Sequence, residues 1–104
     1  MSLFSILWIG KGNLKEALRR GAVIIDIRTA AEFDREKVRD SINIPGDRIN
    51  INLKRIVQMN TAVIICSNSD AENERVIDVL KANGVKEIHN GGNWTKLARM
   101  VRSL

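Results

Sequence analysis

Two short apolar runs constrain this chain more than anything else in it. Ala22-Val23-Ile24-Ile25-Asp26-Ile27 and Thr61-Ala62-Val63-Ile64-Ile65 are rich in β-branched residues and apolar on both faces of an extended backbone. A strand of that kind needs cover on both sides, which is the situation of a central strand in a parallel α/β sheet. The segments around them supply the cover. Leu14 to Arg20 places Leu14, Ala17 and Leu18 on one helical face, with Asn13 as N-cap and Gly21 as terminator. Ile49 to Met59 repeats apolar residues at Ile49, Leu53, Ile56 and Val57. Hydrophobic runs that alternate with helical periods predict an α/β fold, a central parallel sheet flanked by helices in three layers.

The remaining elements follow from local signals. Thr29 with Glu32 fits a capping box and predicts a short helix through about Arg35. Ser41 to Pro45 predicts a short strand ended by Pro45 and Gly46. Ser67-Asn68-Ser69-Asp70 is a polar turn, and Ser69 with Glu72 predicts a second capping box. The helix behind it turns Val76, Ile77, Val79 and Leu80 inward and stops at Asn83-Gly84. Val85 to His89 predicts a last strand, Gly91-Gly92 a turn, and Trp94 to Arg102 a basic final helix. At 104 residues the chain is long enough for one domain, residues 1–104, and too short for two.

Composition narrows the function classes. Hydrophobic residues make up 44%, so a core forms without covalent staples. One cysteine and one histidine are too few for a zinc site or an internal disulfide. The apolar start, Leu3 to Ile9, is too short for a membrane helix and lacks the basic start of a secretion signal. It predicts a first strand over residues 4–9 and a cytoplasmic protein with no membrane partner. The net charge of +5 favours anionic partners, but there is no basic run, no Tyr, and only two Phe and two Trp to stack on bases. No nucleic-acid role is expected.

Taken in order, Asp26-Ile27-Arg28-Thr29, Glu32-Phe33, Ile42-Asn43-Ile44-Pro45, Val63-Ile64-Ile65-Cys66 and Gly91-Gly92 resemble the rhodanese-like domain family over about residues 13–100. The resemblance implies a parallel sheet wrapped by helices and sulfur transfer through a persulfide on Cys66. The donor would be thiosulfate or a protein persulfide and the acceptor a thiol, with no metal or organic cofactor. Independently, Cys66 ends a strand just before a helix N-terminus. There the backbone amides and the helix dipole hold anions and lower a thiol's pKa. Cys66 is therefore the candidate nucleophile, and Ser67, Asn68, Ser69, Asp70, Ala71 and Glu72 form the candidate anion-binding loop.

Two departures keep a second reading open. The loop after Cys66 has no Gly, Arg or Lys, carries Asp70 and Glu72, and measures about one residue long between Cys66 and Gly84. Lys37 stands where the family often has a histidine. The same fold with an inactive loop would be a protein-interaction or regulatory module. Phosphatase or arsenate-reductase chemistry is a lesser alternative that lacks the Arg it normally wants. Asp26, Arg28, His89 and Trp94 are read as structural, with Arg28 pairing to Glu32.

Overall fold

The computed structural model describes residues 14–104, and the predicted strand at 4–9 and the Asn13 cap lie outside the described residues. Helix α1 spans Leu14–Arg19, strand β1 Val23–Asp26, helix α2 Ala30–Arg35 and strand β2 Ile42–Asn43. Two 3-10 turns, Gly46–Arg48 and Asn50–Asn52, lead into helix α3, Leu53–Met59. Strand β3 is Val63–Ser67, helix α4 Asp70–Ala82, strand β4 Ile88–Asn93 and helix α5 Trp94–Arg102. The strands form one sheet in the order β2-β1-β3-β4, and every pairing is parallel.

The two apolar runs become the two central strands, as their double-sided pattern demands. Alternation along them splits the core into two layers. Ile25, Ile27, Val63 and Ile65 face α3 and α4, where they meet Ile56, Val76 and Leu80. Ile24, Ile64 and Cys66 face the other way and meet Leu14 and Ala17 of α1 and Leu97, Ala98 and Val101 of α5. No helix among the described residues is long and apolar enough to cross a membrane.

Two elements differ from expectation. The predicted helix over 49–59 begins as a 3-10 turn, in which the Asn52 side chain donates to the Arg48 carbonyl and holds the tighter winding. The last strand starts later, because the Val85 amide is spent closing α4 on the Leu80 carbonyl. It also runs through Gly91 and Gly92 instead of turning before them. A Cβ on Gly91 would stand 2.8 Å from the Ile64 side chain and 3.0 Å from the Ile65 carbonyl. No side chain fits, so Gly91→Ala should lower the thermal midpoint by several degrees, in the range of about 1–3 kcal/mol for overpacking.

The base of the sheet is tied by a charged cluster. Arg20 donates to Glu87 at 2.7 Å, and Glu87 also contacts Nε2 of the buried His89 at 2.7 Å. The hydrogen bond from Arg20 is the main cause that holds the Glu87 carboxyl below its ordinary range, with His89 adding to it. A depressed carboxyl contributes stability that is present above the unfolded value of about 4.3 and lost as pH falls through the lower folded value. Glu87→Gln should therefore cost stability at neutral pH, and the gap from wild type should close toward pH of about 3. Urea midpoints at the two pH values measure it.

Candidate functional site

The site is framed by the carboxyl ends of β1, β3 and β4. In the order β2-β1-β3-β4 the chain reverses direction across the sheet between β1 and β3, where an open α/β sheet usually keeps its ligand crevice. Here that crevice is filled from within. The Asp26 carboxylate accepts from Arg28 through the backbone amide at 2.9 Å, Nε at 3.0 Å and Nη2 at 2.7 Å. Nη2 also donates to the Glu36 carbonyl at 2.7 Å, and the guanidinium lies 4.1 Å from the centre of the Trp94 ring. Arg28 thus pairs with Asp26 and not with the Glu32 carboxylate, because both are held on the same face over the buried end of β1. Glu32 closes the α2 capping box with Thr29, as predicted, and accepts from Asn68 Nδ2 at 3.2 Å across the crevice.

Cys66 is the decisive residue. It lies within β3, paired with Asp26 in β1, and it is 0% exposed. Its side chain points into the layer formed by α1 and α5, away from the start of α4. Burial pushes its thiol up to about 12, and the neighbouring Asp26 carboxylate adds to the rise while Arg28 opposes it. That direction is opposite to the lowering expected from a helix N-terminus. Side chains alternate along a strand, and one residue decides which layer a side chain enters.

Ser67 is the residue that meets α4. It is buried, accepts the Ser69 amide at 2.9 Å and hydrogen-bonds to Oδ1 of the fully buried Asn73 at 2.7 Å. Asn73 Nδ2 in turn donates to Asn90 Oδ1 and to the Gly92 carbonyl, both at 3.1 Å. Ser67, the last residue of β3, thus stands at the head of the loop. Asn73 had no signal, since a lone Asn in a helix reads as surface. Asn73→Leu would take one hydrogen bond each from Ser67, Asn90 and the Gly92 carbonyl, although Ser67 keeps Ser69 and Asn90 keeps the Gly92 amide, and should destabilise the fold by about 2–3 kcal/mol in urea unfolding.

The rest of the loop divides. Ser69 caps α4 by accepting the Glu72 amide, but the reciprocal half of the box is absent. The Ser69 amide already bonds Ser67, and the Glu72 carboxylate turns to Arg75 at 3.1 and 3.2 Å. That hydrogen bond is the first cause that lowers the Glu72 carboxyl below its usual range. Asn68, Ser69 and Asp70 line an open cleft of about 430 Å³ between the β3 and β4 ends, opposite Gly91 to Asn93, Lys96, Leu97, Met100 and Leu14. Cys66, Ser67, Ala71 and Glu72 are not among its lining residues. Lys37 is exposed and sits 4.7 Å over the Phe33 ring, away from that cleft.

The family model for the rhodanese-like domain matches residues 11–93. The chain belongs to the rhodanese-like family. Among solved structures, a rhodanese-like domain from Anabaena superposes with a TM-score of 0.69 at 9% identity, over 78% of this chain and 93% of that one. A Staphylococcus saprophyticus protein gives 0.68 at 24% identity, over 83% and 87%. The reduced CoADR-RHD protein of Bacillus anthracis gives 0.68 at 22%, over 88% of this chain and 16% of that one. No curated protein sequence matches the chain. The rhodanese-like family has sulfurtransferase members and regulatory members, and the resemblance in the sequence is thereby established at the level of family and fold.

Proposed function

We propose that this rhodanese-like domain works by binding and not by carrying sulfur. The observation behind the reading is the placement of Cys66, 0% exposed inside β3 with its thiol pushed up to about 12. A persulfide carrier needs a thiolate that reaches its donor. The hydroxyl that heads the loop is no substitute. Ser67 contacts the Ser69 carbonyl and Asn73 Oδ1, neither of which takes up a proton as a general base does. The cleft lined by Asn68, Ser69, Asp70 and Lys96 is the binding place. A single cysteine, present as a thiol, suits a reducing compartment and supports a cytoplasmic location.

Intact mass after incubation with thiosulfate or a low-molecular-weight persulfide tests this directly. The folded protein should gain nothing. A gain of one sulfur, about 32 Da, located on Cys66 by digestion and absent in Cys66→Ser, would return the domain to the sulfurtransferase reading in which Cys66 attacks the donor.

A further inference from the structure

Charge on this domain is sorted by sheet face. Helices α1 and α5 pack side by side over one face. Together they present Lys15, Arg19, Lys96, Arg99 and Arg102 to solvent, with Glu16 as the one acid on the pair. None of these five cations is in an ion pair among the described residues. Over the opposite face, α4 carries Asp70, Glu72, Glu74 and Asp78 against Arg75 and Lys81, and α3 beside it carries Lys54 and Arg55, so those two helices balance. The α1/α5 pair, with five cations and one acid, is the more strongly basic of the two surfaces. That surface is not purely polar. Leu18 and Met100 are half-buried on it, and the cleft beside them is lined by Leu14, Leu97, Met100 and Lys96 on the α1/α5 side and by Asp70 on the α4 side, so the acidic groups of a ligand are directed to the α5 cations and its apolar group to the cleft.

We infer that the α1/α5 face docks an acidic protein segment that also carries an apolar side chain, its carboxylates on the α5 cations and its apolar group against Met100 in the cleft. This inference rests on the binding reading above and names its partner class. Charge complementarity selects the sign, and the apolar wall selects a protein over a nucleic acid. Stacking has little to use here, because the Trp94 ring is already taken by Arg28. Rim charges act mainly through association rate and salt dependence, while an apolar anchor in a cleft supplies hold.

The probes are a fluorescein-labelled peptide of Asp, Glu and Leu, its counterpart with Ala for Leu, and a labelled single-stranded DNA, each titrated into the intact chain by anisotropy. The Leu peptide should bind, more tightly as salt falls. Lys96→Glu with Arg99→Glu should weaken it roughly tenfold or more, and Met100→Gln several-fold. Lys54→Glu with Arg55→Glu, exposed on α3 under the other face, should change it by less than about twofold. Equal binding of the Ala peptide or of DNA, equal loss in the α3 variant, or no binding at low salt would each overturn the proposal. So would a dimer in sedimentation that the α5 reversals dissolve, since a second copy would then own the face. Sulfur uptake on Cys66, measured on the same preparation, fails the binding reading without touching these titrations. Failed titrations without sulfur uptake remove only this surface.

Discussion

The native protein is expected to resist alkylation at Cys66 by about a thousandfold relative to a free thiol near pH of about 8. A thiol with its pKa pushed up to about 12 holds very little thiolate there, and full burial withholds even that from the reagent. Modification should run through unfolding, so its rate should climb steeply with urea, while a free thiol's changes little. Ser67→Cys in a Cys66→Val background supplies the contrast. The new thiol would take over the Ser69 amide contact at the head of α4, where a helix N-terminus favours thiolate. Ser67 is itself buried, so the gain comes from thiolate content and not from access, and the new thiol should react at least about tenfold faster than Cys66. Iodoacetamide kinetics by mass, as a function of pH and urea, measure both. Fast alkylation of native Cys66, with a profile centred below about pH 9, would remove the basis for the binding reading.

The second large effect belongs to the buried pair at the end of β1. Arg28→Met should destabilise the fold by about 3–5 kcal/mol, because it leaves the Asp26 carboxylate at 0% exposure without its partner. It also frees the Glu36 carbonyl and the Trp94 face, which loosens the start of α5. A domain of this size has about 5–15 kcal/mol in hand, so the variant should be marginal at room temperature. Asp26→Asn with Arg28→Met should recover a substantial part, since an amide is far cheaper to bury than an unpaired charge. Urea unfolding of the two variants gives the answer. No recovery in the double variant would mean that Arg28 acts through Trp94 and the Glu36 carbonyl and not through the charge on Asp26.

Hydrogen bonds tie the elements of the site to one another. Ser67, Asn73, Asn90 and Gly92 form one connected set beneath the loop, with Ser67 and Asn73 buried, and the Glu32–Asn68 contact spans the crevice above β1 and β3. An open cleft lies on the β3/β4 side, beside the basic helices, next to the Arg28–Asp26 pair that occupies the switch point.

What the sequence determined by itself was the architecture. A strand apolar on both faces admits few fates, and caps such as Thr29 with Glu32 are local contacts between residues three apart, so β1, β3, α2 and α4 were legible where they occur. The order of motifs from Asp26 to Gly91-Gly92 was enough for the family. Tertiary structure decided the chemistry. The sequence places Cys66 at the end of a strand, but which layer its sulfur enters depends on the phase of a two-residue alternation, pinned by pairing with Asp26 in a strand forty residues away in the chain. Glu72 completes no box because the Ser69 amide found Ser67 first and Arg75 lay within reach. Arg28 chose Asp26 because both end the same buried strand face. Gly91 fits in β4 because the close approach to Ile64 and the Ile65 carbonyl leaves no room for a side chain, and Gly92 follows it with a φ of +70° that favours glycine. Each of these outcomes is a competition among groups distant in sequence, which local patterns rank only after the fold has brought them together.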